Sequence, residues 1–583
     1  MAALRDLKPY LLKYRGSYTA GALTVVISSA FMIVKPRLVQ QAIDSIEEGI
    51  DLPFLTLCAL GIVGVTIVRG FFLFLTRRLM IYASRRLEND IRNDLLRHLQ
   101  RLNPTFYHAH PTGDLMALAT NDLAAVRQMA GPGIMYSVNT IVSGTFVLVN
   151  LILISPLLSL VTLSTLPIMA FVVYRFGRAI HTRFERIQDR FGNLTAITQE
   201  NLSGVRLIRS YAREDHEAAL FDEANLEYMR LNKGYLLIDS AFRPAIMFVV
   251  GLGLLLLLYM GGSFIMQDRI TVGEFTAFAI YFSMLIWPAI SVGWVTGLFQ
   301  RGAASMKRIQ RIFNAKPEVG DPAGAVAGDG DDLRIEIRDL SFRYGEQSPW
   351  VLRNISLVIE PGSTLAIVGP TGAGKTTLLN LLVHLFPLPR GMIRIVGHDI
   401  NDISLAGLRG LIGFVPQEAF LFSDTIANNI AFAPRRGNGR PPLEVDDAAR
   451  KAAFHDEVSR FSQGFDTMLG ERGINLSGGQ RQRCAIARAL TKNPEILILD
   501  DALSAVDTRT EDEILDNLEK IAKGRTVIIV SHRVSAVRKA DRIVVLRDGA
   551  IEESGRHGEL VAAGGLYADM VEQQRLKSEL EVI

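Results

Sequence analysis

Six apolar stretches come before Gln300: Gly16–Val39, Pro53–Thr76, Gly133–Ile154, Pro156–Phe176, Pro244–Met266 and Glu274–Phe299. Each is about as long as the roughly 20 helical residues that cross a hydrocarbon core. In lipid a backbone N–H or C=O finds no water, so each stretch has to satisfy its own polar groups as a helix. A membrane all-α unit with six spans follows. Apolar residues are 49% of the 583, and the excess lies in this half, so the remainder reads as a soluble domain.

Lysine and arginine placement orients the spans. Arg5, Lys8, Lys13 and Arg15 precede the first. The loop Gln40–Leu52 has neither Lys nor Arg and holds Asp44, Glu47, Glu48 and Asp51. Long basic connections, Arg77–Pro132 and Arg175–Arg243, follow the second and fourth spans. The N-terminus and both connections are therefore cytosolic. The connections keep a helical period, Ile91, Leu95, Leu99 and Leu102 in one and Leu207, Leu220 and Leu231 in the other. They predict two helical stalks reaching about 35–40 Å past the membrane, each with a break, at Tyr107–Asp114 and at Asn201–Asp215.

Charge inside the spans is scarce. Arg69, Lys35 and Arg37 either snorkel or pair, or, for Arg69, line a cavity that meets anionic substrate or lipid. Met247, Met260, Met284, Phe248, Phe278, Phe282 and Trp287 suit an adaptable apolar cavity and equally suit a lipid-facing surface. The N-terminus lacks an apolar run followed by a small-residue cleavage site, so no signal peptide is expected. Cys58 and Cys484 fall in different phases, so reduced thiols are expected rather than a disulfide. The net charge of +3 gives no reason to expect nucleic acid.

Residues 314–332, NAKPEVGDPAGAVAGDGDD, have no apolar period and read as a flexible linker between a transmembrane domain (1–313) and a nucleotide-binding domain (333–583). The second domain opens with strand alternation at Leu333, Ile335, Ile337, Leu340, Phe342 and Tyr344. A buried-strand pattern at 363–369 then runs into GPTGAGKT, Gly369, Pro370, Thr371, Gly372, Ala373, Gly374, Lys375 and Thr376, and into a helix from Thr377. Strand, glycine loop and helix form the context that makes this a P-loop. Backbone N–H groups nest the phosphates of ATP, Lys375 reaches the β- and γ-phosphates, and Thr376 ligates Mg²⁺. Glu495–Asp500 is an apolar strand whose Asp500 holds Mg²⁺ directly or through water. Val527–His532 is another, and its His532 is placed to sense a γ-phosphate rather than to serve the core.

The order of these pieces, with Gln417 after Leu411–Val415 and with LSGGQ at Leu476–Gln480, resembles an ABC ATPase. LSGGQ is the discriminating motif, because other P-loop ATPases lack it. The resemblance implies that Tyr344 stacks on adenine, Gln417 touches Mg²⁺ and the attacking water, and His532 contacts the γ-phosphate. Ser477, Gly478, Gly479 and Gln480 open a helix whose free N–H groups suit an anion. In the ABC arrangement that anion is the ATP of the opposing domain, so one copy of each motif implies a second chain. FYHAHPTGDLMALATND and QENLSGVRLIRSYAREDHE, simple hairpin turns if read alone, resemble the two intracellular coupling loops of ABC exporters. Gly470–Gly473 resembles the segment that meets a coupling helix.

One residue departs from the pattern. ABC ATPases usually place glutamate after the Asp500 position, as base or water-positioner, and here it is Asp501. The missing methylene withdraws the carboxylate by about 1 Å from a proton that a base must approach within hydrogen-bond distance. Such a loss can cost orders of magnitude in rate. Either a small backbone shift restores a working site, or this site binds ATP and hydrolyses it poorly. The second reading predicts a heterodimer in which the intact LSGGQ completes a partner's competent site. DDALSAVD and the two loops resemble one half of the bacterial heterodimeric multidrug exporters of the Mdl and Tmr kind.

The expectation is an ATP-driven exporter half-transporter in the bacterial inner membrane, with its ATPase domain cytosolic. It would move amphipathic drugs, lipids or peptides. A homodimer with a slow site and an ATP-gated channel or regulatory subunit are the rivals. The six spans exclude a soluble ABC protein acting on nucleic acid. Spans preceding the ATPase in one chain disfavour an importer, by the resemblance. No room for a protease domain before Gly16 is expected.

Overall fold

The computed structural model describes residues 2–582 except 50, 329–332, 434–442, 505 and 507. It divides into two compact units, residues 1–99 with 112–315, and residues 100–111 with 316–583.

The first unit is all helix. Among the described residues, six helical segments are long and apolar enough to cross a membrane: Arg15–Glu48, Leu52–Leu99, Thr112–Ile154, Pro156–Ser203, Glu214–Met266 and Val272–Asn314. Two are interrupted where the sequence reads as one apolar run. Pro156–Leu163 gives way to Thr165–Ser203, and Val272–Met284 to Ile286–Asn314. Each interruption lies three residues before a proline, Pro167 and Pro288, whose ring crowds the carbonyl one turn back. Leu87, Ile91, Leu123, Val126, Met129 and Ile309 form one core, and Val147, Leu151, Leu257, Phe278 and Tyr281 another. Between helices, Thr24 and Thr76 share a 2.8 Å hydroxyl bond, a polar tie of the kind that holds membrane helices together. Asp122 pairs with Arg308 and accepts from Ser305, and Glu88 pairs with Arg92 and Arg127.

The two stalks differ. Ile91 and Leu95 of the first are buried, so its period is a core stripe. Leu207 and Leu220 of the second are 63% and 43% exposed, so its apolar period faces outward. The breaks carry short helices, Pro104–Ala109 and Val205–Ser210.

In the second unit six strands run in the order β10-β9-β3-β8-β7-β6. Here β3 is Thr364–Val368, β6 Ile412–Val415, β7 Ile496–Asp500, β8 Thr526–Val530, β9 Arg542–Arg547 and β10 Ala550–Gly555. From β9 to β6 all neighbours are parallel, and β10 alone is antiparallel. β3, β7 and β8 are nearly buried throughout, which explains their unbroken apolar runs. A four-stranded sheet, β2-β1-β4-β5, covers one side, with β1 Ile335–Phe342, β2 Leu352–Ile359, β4 Ile393–Ile395 and β5 His398–Asp399.

The described part of the expected linker is anchored rather than loose. Val326 N–H donates to Asp402 O and Val326 O accepts from Ser404 N–H, both at 2.9 Å, and Val319 is buried. One bridge of this kind leaves no period in a sequence. The Pro104–Ala109 segment belongs to the same unit, with Asn103 Oδ1 accepting from Val319 N–H and Thr105 donating to Glu318.

Candidate functional site: a phosphate-binding cavity at the sheet edge

Parallel strands end on one edge, and ligands of such sheets bind outside the strands' C-terminal ends. The loops after β3, β6, β7 and β8 supply Gly372–Thr377, Gln417, Asp500 with Asp501, and His532. All of them line one cavity of about 260 Å³, together with Thr371 and Val351.

The P-loop backbone depends on glycine at two points. Gly369 has φ +146°, and a Cβ there would collide with the Leu546 carbonyl oxygen on β9. Gly374 has φ +96°, and a Cβ would lie 2.7 Å from Leu352 Cδ2. Lys375 opens the Lys375–Leu382 helix and is itself buried. Its ammonium donates to the Gly369 and Pro370 carbonyls at 2.8 and 2.9 Å. Burial lowers its pKa, and the carboxylates of Asp501 and Asp500 oppose that shift.

Burial raises the Asp500 pKa, and the neighbouring Asp501 charge adds to the rise, while the Thr376 hydroxyl, Lys375 and His532 pull the other way. Its Oδ2 is buried without a hydrogen-bond partner. An unsatisfied buried carboxylate oxygen beside a threonine hydroxyl fits Mg²⁺, which takes one or two protein oxygens and completes its shell with phosphate and water. When bound, the ion neutralises charge on the β- and γ-phosphates. Asp500 and Thr376 are the residues that would hold it.

Asp501 is buried, and its N–H extends the β7–β8 ladder by donating to Val530 O at 2.9 Å. Its φ is +46°, in the left-handed region. Short polar side chains tolerate that region better than longer ones do. Tyr344 is 42% exposed. Its hydroxyl meets Thr377 Oγ1 at 2.8 Å, and its ring stands edge-on to Phe342 and Phe386, both at 5.1 Å between centroids.

Ser477 caps the Gly478–Thr491 helix in a capping box. Its Oγ accepts from Gln480 N–H at 3.2 Å, and Gln480 Oε1 accepts from Ser477 N–H at 2.9 Å. The amides of Gly478 and Gly479 have no partner inside the helix, as at any helix start. These residues do not line the P-loop cavity. Gly478 lines a separate cavity of about 590 Å³ with Phe420, Arg481, Gln482 and Gln417, so Gln417 borders both.

Sequence reasoning passed over two residues. Gln482 is buried and donates to Ser504 Oγ at 3.0 Å and to Asp501 O at 3.5 Å. Arg533, beside His532, pairs with Glu511 and donates to the Ser504 and Val506 carbonyls at 3.0 and 3.2 Å. Both hold the segment that follows Asp501, and neither belongs to a pattern readable from spacing. Asp507 and Ala505 of the DDALSAVD run lie outside the described residues. Arg69 is exposed and, among the described residues, has no polar partner.

Comparisons with known proteins agree with this geometry. Residues 18–289 match the ABC transporter transmembrane region, and residues 352–504 match the ABC transporter domain. The chain is 37% identical to the multidrug resistance-like ATP-binding protein MdlA of Escherichia coli (strain K12), over 100% of this chain and 98% of the relative. It is 36% identical to the ATP-dependent lipid A-core flippase of Syntrophus aciditrophicus (strain SB), over 94% and 89% respectively. Among solved structures, a bacterial Atm1-family ABC exporter with ATP bound superposes with a TM-score of 0.78 at 29% identity, covering 96% of this chain and 98% of that one. The six spans, the P-loop at the sheet edge and the capped LSGGQ helix meet in one conclusion: the chain is a multi-pass membrane protein of the ABC transporter family, a half-transporter of the exporter type whose ATPase domain couples ATP hydrolysis to transport.

Proposed function

We propose that this chain is the degenerate-site subunit of a heterodimeric exporter in a bacterial cytoplasmic membrane, with its ATPase domain in the cytosol. The observation that carries the reading is a mismatch within one domain. Asp501 stands on the wall of the ATP cavity on a side chain one methylene short, while the Ser477–Gln480 cap is intact. The Walker site here binds ATP and Mg²⁺ and hydrolyses slowly. The cap completes a faster site on the partner. Tyr344 stacks on adenine, Gln417 positions the attacking water and His532 contacts the γ-phosphate.

The outward apolar residues of the second stalk support a partner chain, since Leu202, Leu207 and Tyr211 are 72%, 63% and 72% exposed around its break. ATP-driven closure of two such domains moves the stalks as rigid bodies and switches the membrane cavity from inward to outward facing. The names of the relatives, a multidrug resistance-like protein and a lipid A-core flippase, favour amphipathic drugs or lipids as substrates. A second reading, a homodimer with a slow site, is favoured by Asp501 lining the same cavity as Lys375 and His532. Purification from the native host separates the two. Co-purification with a second, different half-transporter is expected. A stable dimer of this chain alone with brisk, substrate-stimulated ATPase contradicts it. Uphill uptake into inverted vesicles that needs hydrolysable ATP excludes a channel or a purely regulatory subunit.

A further inference from the structure

The Arg15–Glu48 helix contains Pro36. Proline brings no N–H and disturbs the bonds of the turn before it. The hydroxyl of Tyr281, a fully buried side chain, donates to the Ile33 carbonyl in that turn at 2.6 Å. Arg37 follows the proline. Its Nη2 donates to Asn150 Oδ1 at 2.9 Å, and the Tyr281 side chain lies beside it. Asn150 is itself buried and held in one orientation, because its Nδ2 donates to the Phe146 carbonyl at 2.9 Å and leaves Oδ1 for Arg37. Three helices, Arg15–Glu48, Ile134–Ile154 and Val272–Met284, thus meet around one guanidinium.

Both side-chain partners are neutral. Among the described residues no carboxylate pairs with Arg37. The next acid along its helix, Asp44, accepts instead from Gly273 N–H at 3.0 Å. Arg37 lies within the first apolar stretch, two residues from its Val39 end. A cation in a span with only neutral partners is costly, and intramembrane charges of this kind mark substrate paths. Asn150 and Tyr281 orient the guanidinium without neutralising it. The residue is exposed, and the planar fork of an arginine matches phosphate or carboxylate oxygens two at a time.

We infer that Arg37, oriented by Asn150 and Tyr281, binds the anionic head group, phosphate or carboxylate, of an amphiphilic substrate. The inference rests on the exporter reading and names the class of its cargo. Arg37 touches the ligand, and Asn150 and Tyr281 are positioning residues.

The test is equilibrium binding to the purified full-length chain in phosphatidylcholine nanodiscs. The probes are dodecyl phosphate, dodecyltrimethylammonium with the same tail and opposite charge, and inorganic phosphate without a tail. Losing a charge-assisted hydrogen bond predicts that Arg37→Gln weakens dodecyl phosphate by about tenfold or more. Dodecyltrimethylammonium affinity does not fall, and Arg37→Lys, which keeps the charge and loses the fork, binds dodecyl phosphate more weakly than wild type and more tightly than Arg37→Gln. Unchanged dodecyl phosphate affinity in Arg37→Gln overturns the inference and leaves Arg37 as an interfacial anchor. An equal loss for both amphiphiles overturns it as well. Inorganic phosphate binding as tightly as dodecyl phosphate overturns the amphiphile assignment in favour of a soluble anion. If ATP-dependent transport fails while the head-group preference persists, the exporter reading falls and the binding site stands.

Discussion

Gln482, inside the helix that Ser477 caps, donates to the carbonyl oxygen of Asp501 at 3.5 Å and to Ser504 Oγ at 3.0 Å. The helix capped by Ser477 is thereby tied to the backbone of Asp501, which lines the P-loop cavity. Replacing Gln482 with Leu removes a net stabilisation of about 0.5–1.5 kcal/mol per hydrogen bond. The expected outcome is an ATP turnover lower by about 2- to 10-fold in the assembled transporter, with ATP affinity retained. Equilibrium binding of a fluorescent ATP analogue beside steady-state turnover separates the two effects.

Ser477→Ala leaves the Gln480 amide without its cap, a loss of about 1 kcal/mol. Under the proposed pairing, the expected effect falls on a site of another chain. ATP binding at the P-loop of this chain persists while turnover of the complex drops. Photolabelling with an azido-ATP, read chain by chain, reports the first, and phosphate release reports the second.

His384 supplies a pH signature. Its ring is buried, its Nδ1 has no hydrogen-bond partner, and burial followed by the nearby Arg409 charge lowers its pKa to about 4. The folded domain therefore holds this ring neutral at pH values where the unfolded chain, near 6.5, has begun to protonate it. Because the unfolded state binds more protons between these values, stability falls as pH drops from about 6.5 towards 4, by at most about 3 kcal/mol from this group. His384→Asn does not titrate and suits the left-handed φ of +51° at this position. Thermal midpoints of the full chain between pH 7 and 4.5 are expected to fall less steeply in the variant.

Much of the site is legible in the sequence because its determinants are local. The glycines of 369–374 answer to backbone conformation, the runs at β3, β7 and β8 to burial on both faces, and Ser477 with Gln480 to a capping box four residues long. What escapes is non-local. Gln482 and Arg533 act on a segment about 20 to 30 residues away in sequence, and no spacing announces that. The spans at 156–176 and 274–299 read as continuous because Pro167 and Pro288 sit inside apolar runs, and only helix geometry turns them into interruptions at Ser164 and Leu285. The apolar period at Leu207 and Leu220 is legible, yet it does not reveal that these residues face outward.

The left-handed backbone at Asp501 shapes the central substitution. Glutamate there regains the methylene, and the longer side chain costs about 1 kcal/mol more than aspartate in that conformation. Asp501→Glu is thus expected to be slightly less stable and markedly faster, since a catalytic group misplaced by about 1 Å costs up to about 100-fold.

The most direct measurement is ATP turnover by the purified full-length chain free of other half-transporters, where two copies of it must pair to complete a site, wild type against Asp501→Glu, with ATP affinity measured in parallel. Slow turnover that rises about tenfold or more in the variant at similar ATP affinity is the result expected of a site that binds nucleotide but lacks a base in reach. Brisk turnover in the wild type, unchanged by the added methylene, contradicts the degenerate-site account.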